Sequence, residues 1–374
     1  MLVRNLRITN YKMAKNLDFQ DFKGLNIFIG SNATGKSTVL YALSALLESG
    51  GLALSFESPF RGSLDTPVRL ETEVTFSDND VKCALEDVVI RQNAAEIPPD
   101  ISQVYVRAAT TDFTIWIRGA APRNKNQGVV SLSKHFEASG KNVVDFIRGK
   151  LHDERTRDWD ASELNVSATF ERSLQSIITE RTMYLPTSRH PQTTFIPGIL
   201  TKPNPQSIGQ WFHASMIEKR RDLKDYEDTL SAFLPHVKGT AFSIEGNALR
   251  WGLEEKGLRG MTPVNDWSSG TIHLGLLAAS LSSMPAGSTI IAEEPELSLH
   301  PGAIRGLMGK IREQVETQKI QFFLSTHSPH VVEEIRPSEK SHSLWQFDRS
   351  PDGSASVHRC ETEKEIEDAI NSLH

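Results

Sequence analysis

The residues with the clearest chemistry lie in a glycine-rich stretch near the start of the chain. Residues 30–38 read GSNATGKST and fit the pattern G-x-x-x-x-G-K-[ST], with Gly30, Gly35, Lys36 and Ser37 at the fixed positions. Glycines let the backbone curl so that successive N–H groups point inward at an anion. A lysine at this position reaches the β- and γ-phosphates of a nucleotide, and the hydroxyl that follows holds Mg²⁺. The stretch therefore predicts a phosphate-binding loop.

The flanks of this stretch indicate how it is positioned. Residues 25–29 (LNIFI) are a short, mostly apolar run that is typical of a buried strand. Residues 37–48 carry leucines and a valine at the spacing of one helical face, and Gly50 and Gly51 follow. The loop is thus predicted to join a strand to a helix, with the helix N-terminus aimed at the phosphates.

The composition excludes several classes of protein. The chain has 374 residues, 38% of them hydrophobic and 24% charged, with a net charge of −6. This balance does not favour a strongly basic nucleic-acid binder, although it is compatible with a local basic patch. The two cysteines, Cys83 and Cys360, suit neither a metal site nor a disulfide framework. With no apolar core of a signal peptide at residues 1–12 and no membrane-length apolar stretch, we expect a cytoplasmic protein without a membrane partner.

Alternating and helical patterns divide the rest of the chain into lobes. We predict a nucleotide-binding core formed by residues 1–50 and 246–374. An antiparallel β lobe is predicted at 51–120, and a mostly helical lobe at 121–245 with one core strand near 183–189. The predicted strands lie at 2–9, 17–22, 68–76, in part of 104–117, and at 183–186, with a hairpin at 344–348 and 355–359. A short helix is predicted at 77–92, mostly helical structure over 121–180 with helices at 143–151 and 161–178, and further helices at 206–234 and 363–373.

A second group of chemical residues follows an apolar run late in the chain. Residues 288–294 read STIIAEE, which is a buried-type strand that ends in Glu293 and Glu294. This is the form of a Walker B strand, in which the first acid supports Mg²⁺ and the second orients the attacking water. The run continues as PELSLHP up to Pro301.

Two more stretches carry groups that suit the terminal phosphate. Residues 321–324 (QFFL) predict another buried strand, and His327 stands at its carboxyl end, where open α/β sheets place ligands. Ser268, Ser269 and Gly270 precede a helical run at 272–281. A serine–glycine turn at a helix start offers N–H groups and a hydroxyl to an anion, although alone it would be an ordinary N-cap.

The order of these four motifs resembles the ABC-type ATPases of the SMC and RecF kind within the AAA ATPases. The chain looks most like the ATPase domain of the OLD (overcoming lysogenization defect) nucleases and their stand-alone relatives. The resemblance covers nearly the whole chain and is strongest at 1–50 and 265–335. It implies an α/β fold: an ABC-type P-loop ATPase head with a mixed or parallel core sheet, an antiparallel β lobe and a helical lobe.

The resemblance also implies a role for each motif residue. Ser37 and Glu293 would hold the metal, and Glu294 and His327 would be catalytic. The nucleotide would be bound by the Walker A loop and by a signature turn that reaches ATP on a partner subunit: Gly30, Ser31, Asn32, Ala33, Thr34, Gly35, Lys36, Ser37 and Thr38, with Ser268, Ser269 and Gly270.

Several positions are less settled or depart from the family pattern. His300 would lie in the D-loop, and either Arg189 or Gln192 would serve as the Q-loop residue. Ala33 replaces a frequent glycine, and Glu293 replaces the usual aspartate, which would leave the metal shifted or bridged by water. Thr271 stands where transporter-type signatures have glutamine.

The resemblance implies ATP and Mg²⁺ as cofactors and a homodimer or higher oligomer. Only about forty residues follow Pro329, too few for the TOPRIM nuclease domain of the OLD nucleases. We therefore expect a separately encoded effector, a nuclease or a toxin, in prokaryotic anti-phage defence. Two alternatives stay open: a RecF-like DNA-repair ATPase with DNA as a partner, and an ATP-binding scaffold with little turnover.

Overall fold

The computed structural model describes residues 1–47, 53–55, 68–77, 79–84, 87, 113–121, 129–131, 133–138, 163–187, 194–195, 220–245, 248–335 and 340–373. The chain divides into two units. The first unit comprises Met1–Phe22, Tyr41–Thr182 and Arg349–Ser356, and the second comprises Lys23–Leu40, Met183–Asp348 and Val357–His374. The lobe boundaries given above stay predictions.

The strands and helices are numbered in chain order. The strands are β1 (Leu2–Tyr11), β2 (Ala14–Phe19), β3 (Leu25–Ile29), β4 (Ala53–Ser55), β5 (Val68–Phe76), β6 (Phe113–Ala121), β7 (Val129–Ser131), β8 (Ser133–Ala138), β9 (Thr182–Leu185), β10 (Thr194–Phe195), β11 (Val237–Glu245), β12 (Ala248–Glu255), β13 (Met261–Pro263), β14 (Thr289–Glu293), β15 (Gln321–Ser325), β16 (His342–Arg349) and β17 (Ala355–Cys360). The helices are α1 (Lys36–Leu47), α2 (Glu163–Glu180), α3 (Arg220–Phe233), α4 (Ser269–Ser283), α5 (Pro301–Thr317), α6 (Pro329–Glu333) and α7 (Glu363–Asn371).

The first unit is built on an antiparallel sheet with the strand order β2-β1-β5-β6-β8. Its pairings confirm the strands predicted near the start of the chain and at 68–76. The second strand lies three residues earlier than expected. Tyr11 pairs with Ala14, so a two-residue turn joins β1 to β2. Asp21, with φ of 59°, is left-handed and does not continue the strand.

The expectation of mostly helical structure over 121–180 was wrong in its first part. Residues 129–131 and 133–138 are the strands β7 and β8, and β8 adds to the edge of the sheet by pairing with β6. The later part is helical as predicted, since α2 spans Glu163–Glu180. The helix predicted at 143–151 lies outside the described residues.

The second unit contains a six-stranded sheet with the order β17-β16-β3-β15-β14-β9. The strands β14, β15, β3 and β16 run parallel to their neighbours in this order. The register places Glu293 opposite Ser325, and Ser325 opposite Phe28. The carboxyl ends of β3, β14 and β15 therefore meet at one edge of the sheet, which is where parallel α/β sheets bind ligands.

Helices and a small antiparallel sheet complete this unit. The sheet pairs β10, β12 and β11, and β13 adds to β12. Ten of the fifteen residues of α4 are buried, and its Leu276 and Leu277 belong to the same hydrophobic cluster as Ile27, Ile290 and Leu324 of the core strands. The hairpin and last helix predicted for the C-terminal region are present as β16, β17 and α7. The predicted α/β class, with a mixed core sheet and separate antiparallel sheets, is thus confirmed.

The helix predicted at 206–234 is present at Arg220–Phe233, and residues 206–219 are outside the described part of the chain. Within the described residues, no helix has both the length and the apolar character to cross a membrane.

A buried polar side chain fastens the start of the core sheet. Asn26 on β3 is fully buried. Its Nδ2 donates to the carbonyls of Lys23 (2.8 Å) and Phe322 (3.1 Å). Its Oδ1 accepts from the Lys23 N–H (2.8 Å) and from the Ser343 hydroxyl (2.7 Å). One amide therefore links the turn before β3 to both neighbouring strands.

Replacing Asn26 by alanine is expected to destabilise the protein by about 2 kcal/mol, because four backbone and hydroxyl groups, two of them in buried bonds, each lose a partner. Chemical denaturation of wild type and variant measures this difference. Asn16→Ala, at an exposed position of β2, is the control and should change the free energy of unfolding by less than about 0.5 kcal/mol. Equal effects of the two substitutions would contradict the role given to Asn26.

Candidate functional site

The glycine-rich stretch forms the loop between β3 and α1, as predicted. Gly30 has φ of 142° and Gly35 has φ of 108°, which are conformations that favour glycine. A Cβ on Gly30 would lie 2.3 Å from the carbonyl oxygen of Phe347, so this position has no room for a side chain. The Thr34 hydroxyl donates to the Ser31 carbonyl at 2.9 Å and closes the loop on itself.

Ala33 is the one residue of the loop that departs from the family pattern, and its backbone conformation is unfavourable for alanine. Its φ is 59°, in the left-handed region where residues with a Cβ are disfavoured by roughly 1–2 kcal/mol. Its side chain is exposed, as are those of Ser31 and Asn32. The loop therefore has its left-handed conformation at this position with alanine in place of glycine, which strains the backbone.

Lys36 is the predicted site residue with the best-defined contacts. It is 5% exposed, and its Nζ donates to the carbonyls of Gly30 at 2.7 Å and Ser31 at 2.9 Å. Burial lowers the pKa of Lys36 to about 8, and the charges of Glu294 and Glu296 act in the opposite direction. The ammonium thus sits inside the loop with one of its three donors left for a phosphate oxygen.

Glu294 and His327 lie together at the ends of β14 and β15. Glu294 has φ of 43°, and its N–H donates to the Ser325 carbonyl at 2.9 Å. Its Oε1 lies 3.5 Å from Nε2 of His327, and both side chains are about one third exposed, so solvent reaches the pair.

The surroundings of His327 tie it to the phosphate loop. Burial and the Lys36 ammonium lower the pKa of His327, whereas Glu294 and a hydrogen bond with the Gly30 backbone raise it. Lys36, Glu294 and His327, which are distant in sequence, are therefore gathered around one loop.

Glu293 is bonded to residues of a different segment, in and after β9. It is 8% exposed, its Oε1 accepts from the Tyr184 hydroxyl at 3.1 Å, and its Oε2 accepts from the Thr187 hydroxyl at 2.8 Å. The Thr187 N–H also approaches Oε2, at 3.4 Å. Tyr184 and Thr187 were not predicted as site residues. Only their place within and just after a returning core strand could have indicated them.

The donor set fits Mg²⁺ bound mainly through phosphate and water. The described residues contain no cluster of three acids, histidines or cysteines that could hold a metal alone. The Ser37 side chain is exposed at the start of α1, and Glu293 already uses both oxygens. Mg²⁺ commonly takes one or two protein ligands beside substrate phosphates, so Ser37 suits it directly and Glu293 suits it through water. Both assignments stay predictions.

The predicted signature turn begins α4. Ser268 is its N-cap, and its Oγ accepts from the Thr271 N–H at 3.1 Å. Ser268 and Ser269 are exposed. A Cβ on Gly270 would lie 2.8 Å from the Ser298 carbonyl, so the glycine lets the loop after β14 pack on the helix start. Within the described residues, no hydrogen bond or ion pair joins this turn to the phosphate loop.

Two other predictions concern the neighbouring segments. His300 is the N-cap of α5, with its Nδ1 accepting from the Gly302 N–H at 3.2 Å, and its side chain is exposed. Arg189 and Gln192, the two Q-loop alternatives, lie outside the described residues.

Comparisons with known proteins agree with this geometry. The model of a protein family described as "AAA domain, putative AbiEii toxin, Type IV TA system" matches residues 25–333. A comparison with curated protein sequences finds no match.

Among solved structures, a SmcHead bound to the C-winged helix domain of ScpA has a TM-score of 0.56 and 13% identity, over 98% of this chain and 100% of that chain. An Smc head domain with an extended coiled coil, bound to the C-terminal domain of ScpA derived from Pyrococcus furiosus, has a TM-score of 0.51 and 12% identity, over 99% and 98%. The family supports an ATP-binding ATPase. The chain therefore belongs to the AAA-domain family named above and has the α/β fold of SMC-type ATPase heads.

Proposed function

We propose that this chain binds ATP and hydrolyses it at the carboxyl edge of the core sheet. The observation that carries the proposal is the gathering of Lys36, Glu294 and His327 around the phosphate loop, with 3.5 Å between Glu294 Oε1 and His327 Nε2. Phosphoryl transfer needs little covalent chemistry from a protein. It needs positioned phosphates, a positioned water and compensation of negative charge, and these three side chains supply such groups.

Each residue has a separate task in this reaction. The loop N–H groups and the Lys36 ammonium bind the β- and γ-phosphates. The Glu294 carboxylate orients the attacking water and accepts its proton. His327, beside Glu294 and Gly30, senses the γ-phosphate. Ser37, with Glu293 through water, holds Mg²⁺, which neutralises charge on the phosphate oxygens when bound.

The signature turn is proposed to act on ATP held by a second copy of the chain. Ser268 and Ser269 are exposed at the N-terminus of α4, where the helix dipole and a hydroxyl favour an anion. Their exposure leaves them accessible to a nucleotide held by a partner subunit. Two copies arranged head to tail would then enclose two nucleotides.

The biological role follows by analogy. The description of the matched family includes the words "putative AbiEii toxin, Type IV TA system", and the two SMC heads are bound to a domain of another protein, ScpA. These descriptions support an ATPase that acts through a partner. With the motif order shared with the OLD nucleases, we propose an OLD-like switch for a separate nuclease or toxin in anti-phage defence.

Glu294→Gln is expected to bind ATP but to hydrolyse it at least about a hundredfold more slowly, because the amide cannot accept a proton. Calorimetry measures binding, and phosphate release measures turnover. Lys36→Ala is the matched control, since it should lose ATP binding itself. If Glu294→Gln hydrolyses ATP as fast as wild type, another residue orients the attacking water. If wild type itself hydrolyses no ATP, the protein is an ATP-binding scaffold and not an enzyme.

A mixing experiment tests the composite site. Lys36→Ala and Ser268→Arg, each inactive alone, are combined in equal amounts and allowed to exchange. Half of the dimers are then mixed and contain one intact site, so about a quarter of wild-type activity should return. Sites formed within one subunit would give no activity in any mixture.

Two controls sharpen the result. Wild type mixed with the double variant should retain about a quarter of the wild-type activity if sites are shared, and about half if each subunit acts alone. Because Ser268 caps α4, its replacement also costs about 1 kcal/mol of stability. Ser268→Asn retains a capping side chain and separates this loss from the loss of the hydroxyl.

A further inference from the structure

The loop after β14 contains a buried carboxyl that the roles above do not use. Glu296 is 8% exposed, and its Oε1 accepts a hydrogen bond from the hydroxyl of Thr326. Its Oε2 has no hydrogen-bond partner among the described residues. Burial raises the pKa of Glu296, and the bond from Thr326 acts against that rise. The side chain is therefore a polar anchor inside the protein and not a solvated surface acid.

Thr326 connects this carboxyl to the turn that carries His327. It is fully buried, and its N–H donates to the Phe28 carbonyl at 3.0 Å, next to the phosphate loop. Its Oγ1 accepts from the Ser328 N–H at 2.9 Å while donating to Glu296. Thr326 and Ser328, which flank His327, are therefore both hydrogen-bonded. The carboxylate of Glu296 accepts the last bond of this series, from the Thr326 hydroxyl.

The loop that contributes Glu296 also contacts the signature helix. Nδ1 of His273 donates to the Leu297 carbonyl at 3.2 Å, since a carbonyl can only accept. The Ser298 carbonyl packs against Gly270, where a Cβ would lie only 2.8 Å away. Glu294, at the start of the same loop, is held to β15 by its own N–H. One short loop therefore contacts the catalytic pair and the signature turn.

We propose that Glu296 is a positioning residue for ATP hydrolysis, whose bond to Thr326 sets the separation of Glu294 and His327. The proposal rests on the proposed ATPase function of this site. Glu294 and His327 lie at the ends of different strands, and the Glu296–Thr326 bond is a buried side-chain link between those ends, beside the bond from the Glu294 N–H to the Ser325 carbonyl. Loss of the link allows the two turns to shift, and a shift of about 1 Å in a catalytic geometry lowers rates by up to a hundredfold.

The test measures kcat and KM for ATP in two pairs of variants of the whole chain. Glu296→Ala and Thr326→Val remove the bond and should each lower kcat on the order of tenfold or more, with KM changed by less than about twofold. Glu296→Gln and Thr326→Ser keep an acceptor and a donor and should restore kcat to within about threefold of wild type. Turnover is expressed per ATP-binding site counted by calorimetry, which removes the effect of misfolded protein.

A double variant tests whether the two residues act through one bond. Glu296→Ala with Thr326→Val should lower kcat no further than the more severe single variant, whereas independent effects would multiply. Multiplying effects overturn the proposal, as does unchanged kcat in Thr326→Val. If Glu296→Ala does not fold, the kcat values of Glu296→Gln, Thr326→Val and Thr326→Ser test the proposal. Absence of phosphate release by wild type overturns the ATPase itself, whereas normal release by wild type and by both disrupted variants overturns only the role of Glu296.

Discussion

The parallel register of β3, β15 and β14 is the constraint on which the site depends. Glu293 lies opposite Ser325, and Ser325 lies opposite Phe28, so the three strands end at the same level. The segments that leave these ends contain the phosphate loop, Glu294 and His327. Since parallel strands present their carboxyl ends together, a chain that pairs these strands in this register must bring the three groups to one edge. A shift of the register would separate them.

Much of this edge could be predicted because each part has a local signal. Short apolar runs predict the core strands, and fixed spacing predicts the loop and its Lys36, whose Nζ the structure places between two carbonyls. The start of α4 could be predicted as an N-cap from Ser268 for the same reason. These patterns depend only on residues that are close together in the sequence, so the strands and the helix start could be predicted without knowledge of the fold.

Contacts between distant segments could not be predicted in the same way. The partners of Glu293 are Tyr184 and Thr187, more than one hundred residues earlier, and no spacing rule links them. The bond between Glu296 and Thr326 also depends on two turns meeting in space. The strands at 129–138 were expected to be helical because short segments carry weak periodicity, and pairing with β6 decides their conformation.

The charged groups of the site lie in surroundings that disfavour their charged forms. Lys36 and Glu296 are both buried, and burial shifts the pKa of each toward its neutral form. Their mutual attraction offsets only part of that cost, as is usual for buried charges. A triphosphate brings several negative charges to the Lys36 ammonium, so it favours the charged lysine and restores the pKa that burial lowers. Lys36 also lowers the pKa of His327. In the proposed function, phosphate charge that compensates the Lys36 ammonium would weaken this effect on His327.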